Sequence, residues 1–261
     1  MSTTKPIIVL VPGAWHTPEN YGPLISLLAV AGYPSIPISL PSAGAHPGHP
    51  DFSQDVAHVR KSITSLVEAG KDVVVVMHSG GSVCSSEAVR DLSKKDREGE
   101  GKAGGVIHLV YIGILLPKAG TSLFETFNSV MQIPDLDPDF IPETNQDYHV
   151  ISEDGSSTIT DGDTRFYSDL PPEEAKYWAS RMTSCSLGTL MSTLTYEAWN
   201  NIPSAYIVCL KDKSIPLKQV REVVKRANIK MVLEVDSGHC PHLSQPKVVE
   251  EFIRKSAGEE L

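Results

Sequence analysis

The chain has 261 residues, of which 41% are hydrophobic, and a formal net charge of −9 at pH 7. A chain of this length has room for one α/β domain with a sizeable core and an insertion. The net negative charge and the lack of any basic cluster argue against nucleic acid or an anionic membrane as the main partner.

The first predicted element is an apolar strand over residues 7–11, which runs into the turn Pro12-Gly13-Ala14. The glycine in this turn permits a tight bend that directs the Ala14 amide toward the end of the sheet. Thr17 and Pro18 then predict the start of a helix. The turn is therefore either an ordinary strand-to-helix connection or a loop whose backbone N–H donates a hydrogen bond to a developing oxyanion.

Four consecutive valines, Val73 to Val76, predict a strand that is buried on both faces, as in the centre of a parallel sheet. The chain then bends through His78-Ser79-Gly80 into a helix. A serine at such a bend has an exposed hydroxyl, and the amide of the next residue points toward whatever that hydroxyl attacks. Ser79 is therefore a candidate nucleophile and the Gly80 amide a candidate oxyanion donor. The alternative is that Ser79 only caps the helix.

The predicted elements around this strand alternate between helix and strand, as in an α/β domain. Apolar residues recur at helical spacing from Phe52 to Leu66, which predicts a helix before the strand. Residues 91–105 are charged and rich in glycine, which predicts a surface loop. Residues 106–112 predict the next strand of the sheet.

The alternation of strands and helices disappears between Pro117 and about Thr195. We therefore predict a core made of residues 1–116 and 196–261, with a lid inserted at 117–195. Lid helices are predicted at 123–131 and from Pro171, and a short hairpin at 151–160 with Asp154-Gly155 inside it. Such insertions close over a site and shape an apolar pocket. Five side chains are expected to line it, with simple packing as the alternative for each: Trp15, Phe124, Phe127, Trp178 and Met182.

Two later strands each lead into a residue that can complete a catalytic triad. Residues 205–210 form an apolar run followed by Asp212, and residues 230–235 lead into His239. In this arrangement the imidazole takes the serine proton, while the carboxylate fixes the tautomer of the imidazole. The order Ser79, Asp212, His239, each past a strand end, favours this interpretation. His242 is the competing base and is interpreted as structural or pocket-lining, and Asp236 is a weaker rival acid.

These segments resemble the α/β-hydrolase superfamily over nearly the whole chain, and most of all its lid-bearing branch of plant methylesterases, hydroxynitrile lyases and similar fungal hydrolase-like proteins. The matching segments are Leu10–His16, His78–Gly81, Lys211–Pro216, and Gly238-His239 through Pro246. Pro12 replaces the usual histidine of the oxyanion motif, and Met77 replaces the first glycine of the serine motif. The lyases of this branch resemble one another in a hydroxyl residue and a lysine, where this chain has Gly13 and Cys240. The resemblance therefore favours an esterase.

The resemblance implies an α/β-hydrolase fold, with a mostly parallel central sheet flanked by helices and an inserted helical lid. It also implies a serine hydrolase that cleaves a small, largely apolar carboxylic ester or lactone. One alternative is a non-hydrolytic cyclisation or carbon–carbon cleavage of a polyketide-like metabolite on the same scaffold. A second is a ligand-binding receptor with vestigial hydrolase activity, for which Phe140-Ile141-Pro142 would be an exposed apolar patch.

No cofactor and no metal are expected from the sequence. His46 and His49 are three residues apart, but prolines around them forbid a helix and no further ligand cluster accompanies them. The expected partner is a small-molecule substrate, with no nucleic acid and no membrane, and the expected state is a monomer or homodimer. No signal peptide or membrane span is predicted, and four cysteines without Cys-x-x-Cys spacing favour the cytoplasm.

Overall fold

The computed structural model describes residues 4–131 and 148–260, and nine strands lie within these ranges. They are β1 (Ile7–Val11), β2 (Ser35–Pro37), β3 (Asp72–His78), β4 (Gly105–Ile112), β5 (His149–Ile151), β6 (Ser156–Ile159), β7 (Cys185–Ser186), β8 (Ser204–Cys209) and β9 (Met231–Val235). Six of them form one sheet in the order β2-β1-β3-β4-β8-β9, and every neighbouring pair is parallel. The predicted fold class is confirmed.

Helices connect these strands and cover the sheet. They are α1 (Gly22–Val30), α2 (Ser53–Glu68), α3 (Gly81–Ala88), α4 (Lys94–Gly99), α5 (Leu123–Met131), α6 (Gly162–Arg165), α7 (Pro172–Ser180), α8 (Leu187–Met191), α9 (Leu217–Arg226), α10 (Pro241–Ser244) and α11 (Pro246–Ser256). A short 3-10 helix, Pro18–Tyr21, precedes α1, and the Thr17 side chain makes no cap hydrogen bond to it. Among the described residues, we find no helix with the length and apolar character needed to cross a membrane.

β3 lies inside the sheet because its side chains leave no polar face. Val73 to Val76 are fully buried, and alternate valines face two different hydrophobic clusters. One cluster packs the sheet against α2, α3 and α9, and the other packs it against α1 and α11. Burial on both faces is the environment that a continuous apolar run requires, and it fixes the carboxyl end of β3 at the middle of the sheet edge.

The described residues of the segment from 117 to 195 add no strand to the central sheet. Within its described part, β5, β6 and β7 form a separate antiparallel sheet, and β5 and β6 pair as the predicted hairpin. The predicted helix at 123–131 is present as α5, and the one predicted from Pro171 is present as α7, which begins at Pro172. The division of the chain into core and lid at residues 117 and 195 stays a prediction.

The charged stretch at 91–105 is not the simple surface loop that its composition predicts. It contains α4, which is capped by the Ser93 hydroxyl, an acceptor for the Asp96 N–H. Arg97 of this helix is buried and donates to the backbone carbonyls of Gly104 and Val67. The prediction was wrong because carbonyl acceptors satisfy the guanidinium inside the fold, and the local sequence does not reveal them.

Candidate active site

Ser79 follows the last residue of β3 and sits on a strained turn. Its φ angle is +46°, in the left-handed region that residues other than glycine rarely adopt. The Ser79 N–H donates to the Ile112 carbonyl at the end of β4 over 2.9 Å. A Cβ placed on Gly81 would lie 2.0 Å from the Pro12 carbonyl oxygen, so only glycine lets α3 approach the first loop this closely. These contacts hold the serine in the geometry of a nucleophile turn.

Asp212 and His239 form a buried hydrogen-bonded pair. The distance from His239 Nδ1 to Asp212 Oδ2 is 2.7 Å, and the two side chains are 1% and 3% exposed. The other carboxylate oxygen, Oδ1, accepts the N–H groups of Ser214 and Ile215. An ionised carboxylate can only accept, so Nδ1 carries the proton and Nε2 keeps the free lone pair. Nε2 is buried and has no hydrogen-bond partner among the described residues.

The predicted oxyanion donors lie next to each other. A Cβ placed on Gly80 would be 3.3 Å from the Ala14 nitrogen and 3.1 Å from the Ala14 Cβ. A Cβ on Gly13 would be 2.9 Å from the Ser79 Cβ. The first loop and the serine turn are therefore in close contact, and the Ala14 and Gly80 residues both border the same cavity as Ser79 and His239. Two backbone amides beside a serine are the donor set of an oxyanion hole.

The described residues enclose a cavity of about 180 Å³ at this point. Three of the predicted pocket residues, Trp15, Phe124 and Phe127, line it. Sequence reasoning missed several others, because no local pattern distinguishes them from core residues: Ile114, Leu115, Leu123, Ile159, Phe166, Leu190 and Ile215. Asn128, Tyr148, His149, Arg165 and Ser214 supply polar atoms to the wall. The site is mostly apolar, with a few polar groups.

Trp178 and Met182 do not line this cavity, in contrast to the prediction. Both pack against a small buried cluster that includes Phe166, Tyr167 and Leu243. The periodicity of α7 correctly indicates an apolar face, but the face covers this cluster and not the cavity. An apolar side chain on an inserted helix packs equally well in either place, so the sequence alone does not separate the two.

The rival acid and base occupy other positions. Asp236 is exposed and pairs with Lys211 over 2.8 Å. His242 is buried, with its ring centroid 4.8 Å from those of both Tyr21 and His78. Burial lowers the pKa of His242 well below its usual range. The carboxylate partner that a catalytic base needs is thus found on His239 and not on His242.

Two further histidines near the pair were not singled out by the sequence. His78 Nε2 lies 3.0 Å from the His239 carbonyl oxygen, so the residue before the serine is tied to the backbone of the histidine. His16 Nδ1 lies 2.6 Å from the Ala14 carbonyl oxygen. Burial lowers the pKa of His16 to about 4 and that of His78 well below its usual range, so both rings are neutral at pH 7.

The other residues considered in the sequence analysis do not border the cavity or lie outside the described residues. Cys84 is buried in α3, where its thiol donates to the Gly81 carbonyl and burial raises its pKa, and it does not border the cavity. His46 interacts with Asp154 and with Ser184. The patch Phe140-Ile141-Pro142 lies outside the described residues.

Comparison with known proteins agrees with the fold described above. The model of the alpha/beta hydrolase family matches residues 8–252. The alpha/beta hydrolase nvfD of Aspergillus novofumigatus (strain IBT 16806) is 32% identical, over 98% of each chain. The crystal structure of polyneuridine aldehyde esterase superposes with a TM-score of 0.73 at 21% identity, covering 97% of this chain and 99% of that one. Methylketone synthase I of tomato, complexed with 2-tridecanone, superposes with a TM-score of 0.71 at 16% identity, covering 98% and 99%.

Proposed function

The chain belongs to the alpha/beta hydrolase family, and from this premise we propose that it is a serine hydrolase acting on a small, largely apolar carboxylic ester or lactone. The observation that carries the proposal is the buried His239–Asp212 hydrogen bond beside the cavity that also contains Ser79. This pair prepares a neutral imidazole whose free Nε2 can accept the serine proton.

The proposed reaction has two halves. Ser79 Oγ attacks the substrate carbonyl carbon while His239 Nε2 takes the hydroxyl proton, and the Ala14 and Gly80 amides donate to the oxyanion. His239 then gives this proton to the departing alcohol oxygen, which leaves an acyl-serine. A water molecule, deprotonated by His239, attacks the acyl carbon, and the proton returns to Ser79 as the acid is released. Asp212 stabilises the imidazolium that forms in each half.

The lining of the cavity supports a neutral, apolar substrate. Aromatic and aliphatic side chains form most of its wall, and they come both from the loops of the sheet and from residues 117–195. The guanidinium of Arg165 is paired with Asp161 and lies over the ring of Tyr148, so its charge is already compensated. We propose that residues 117–195 act as the lid that excludes water from the acyl-enzyme.

The test compares initial rates of hydrolysis of short p-nitrophenyl esters by the wild type, Ser79→Ala and Ser82→Ala. Ser82 is a matched control, because it is a buried serine three residues away whose hydroxyl has no partner among the described residues. We expect Ser79→Ala to lose at least about a thousandfold in kcat, whereas Ser82→Ala keeps the wild-type rate. Labelling with a fluorophosphonate should add one adduct, on Ser79.

Equal rates in the wild type and Ser79→Ala would show that the nucleophile is wrong. A wild type that is labelled on Ser79 but turns over no ester or lactone of the panel would reject hydrolysis and favour the non-hydrolytic alternative. A ligand that binds tightly without turnover, equally in both proteins, would favour a receptor.

A further inference from the structure

Four metal-ligating side chains that the proposed mechanism does not use lie together beside His239. His16, His78, Cys240 and His242 are each 1% exposed, and none of them borders the substrate cavity. One ligand atom from each of His78, Cys240 and His242 lies within 4.8 Å of the others. Cys240 Sγ is also 3.6 Å from His16 Nε2.

This donor set has the chemistry of a zinc site. Imidazole nitrogen and thiolate sulfur are the usual ligands of structural Zn²⁺, which is bound by four of them in a tetrahedron. Zn–S and Zn–N bonds of about 2.3 and 2.1 Å at a tetrahedral angle place the sulfur and nitrogen about 3.6 Å apart. The separation of Cys240 Sγ and His16 Nε2 matches this value. The ligand atoms of His78, Cys240 and His242, up to 4.8 Å apart, must move inward by about 1 Å to reach these bond lengths. His16 lies outside that group of three and adjoins it through Cys240 Sγ.

Contacts around the cluster orient two of the rings as metal ligands. The Ala14 carbonyl lies against His16 Nδ1 and the His239 carbonyl against His78 Nε2. A carbonyl only accepts, so each facing nitrogen carries the proton and the other nitrogen of the ring has a free lone pair. Metal-bound histidines are commonly held by a carbonyl in this way.

The cluster also contains polar atoms that are otherwise unpaired. The Nδ1 atoms of His78 and His242 are buried and have no hydrogen-bond partner among the described residues. A buried polar atom that lacks a partner is destabilising, because its lost hydration is not replaced, so native structures rarely contain one. The two unpaired nitrogens point to a bound ligand, and this argument does not depend on the fact that histidine and cysteine are common zinc ligands.

We propose that His78, Cys240 and His242 bind one Zn²⁺ and that His16, whose Nε2 lies 3.6 Å from Cys240 Sγ, completes a tetrahedral site that is separate from the Ser79–His239–Asp212 group. Binding replaces the Cys240 S–H bond by a Zn–S bond and releases one proton to solvent. The ion would join the loop after β1, the end of β3 and the segment after β9. These segments carry Ala14, Ser79 and His239, so the metal would fix the relative positions of the residues that perform the reaction.

The test uses the full chain without a histidine tag, unfolded and refolded with one equivalent of Zn²⁺ and then dialysed. Metal content is measured by mass spectrometry for the wild type, Cys240→Ser and Cys84→Ser. We expect about one zinc per chain in the wild type and in Cys84→Ser, which loses a buried thiol elsewhere, and less than about a tenth of this in Cys240→Ser. Refolding with Co²⁺ should give a thiolate-to-cobalt absorption band in the wild type that Cys240→Ser lacks.

Two further measurements cover the case in which Cys240→Ser fails to fold. His242→Phe keeps an aromatic ring between Tyr21 and His78 and should lose zinc while melting cooperatively. Zn²⁺ should raise the Tm of the wild type by at least about 5 °C, whereas Mg²⁺ leaves it unchanged. A wild type that retains no zinc, or the same amount as His242→Phe, would overturn the proposal.

Discussion

Gly80 shows how little space separates the two proposed oxyanion donors. Its backbone is helical, so alanine is acceptable for the chain itself, but the new Cβ would press on the Cβ and nitrogen of Ala14 at 3.1 and 3.3 Å. We expect Gly80→Ala to push the two amides apart and to lower kcat for p-nitrophenyl esters by about 10–1,000-fold, with a smaller change in KM.

Gly22 provides the matched control for this substitution. It has a helical backbone too, but a Cβ placed there meets no atom within 4 Å. Gly22→Ala should therefore keep the wild-type kcat and gain up to about 1 kcal/mol in the free energy of unfolding. Unchanged kinetics in Gly80→Ala would show that the Gly80 amide does not hold the oxyanion.

The role of a residue could be predicted from the sequence when a side chain with catalytic chemistry directly follows a predicted strand. Asp212 was identifiable because it follows an apolar run, and the structure places it 2.7 Å from His239. Trp178 could not be assigned in the same way, because its environment depends on contacts with residues far away in the chain. The same holds for the histidine cluster, since His16 lies in the loop after β1, His78 at the end of β3 and His242 in α10.

Helix α5 supplies one side of the cavity and is where the size of the substrate should be set. Leu123, Phe124 and Phe127 of this helix all line the cavity. Phe127→Ala removes an aromatic ring from the wall, and the space it leaves can accept a longer chain. We expect the ratio of kcat/KM for p-nitrophenyl octanoate over butyrate to rise at least about tenfold.

Ser129, on the same helix, serves as the control because it is exposed and does not line the cavity. Ser129→Ala should keep the wild-type ratio of the two esters. If Phe127→Ala changes the rates of both esters equally, the helix does not determine chain length and only supports the fold.

Elements were predictable from the sequence when their periodicity reflected burial. The valine run of β3 and the apolar spacing of α2 correspond to faces that are buried in the structure. Helix α4 was not predicted, because six largely charged residues carry no apolar stripe, and its position depends on the buried Arg97 and its backbone acceptors. Local composition indicates exposure only when no distant partner satisfies the charge.

The fold as a whole was predictable because the order of its elements limits the possible topologies. Strands alternating with helices favour a parallel sheet, and functional residues then collect at the carboxyl ends of the strands. Ser79, Asp212 and His239 follow β3, β8 and β9, so Asp212 and His239 can form their hydrogen bond at the same edge of the sheet where Ser79 and His239 border one cavity. Residues 117–195 do not alternate between strand and helix, so the side chains that this segment contributes to the cavity could not be predicted from the sequence.

The stability of the molecule should depend on pH through His108 on β4. Burial lowers the pKa of this imidazole to about 4, and its Nε2 has no partner among the described residues. The unfolded chain, with a pKa near 6.5, binds the proton more tightly than the folded one, so stability is full above about pH 6.5 and falls as the pH decreases toward 4. The loss approaches about 1.4 kcal/mol for each pH unit.

Urea unfolding of the wild type and His108→Leu between pH 7.5 and 4.5 isolates this group, because all other titrating groups are common to both proteins. Relative to the variant, the wild type should lose about 1.6 kcal/mol between pH 6.5 and 5, which follows from the same linkage. A difference between the two proteins that stays constant with pH would mean that His108 takes up its proton equally well in the folded state. The partly buried imidazole would then be hydrated well enough in the folded state to carry its charge without a partner.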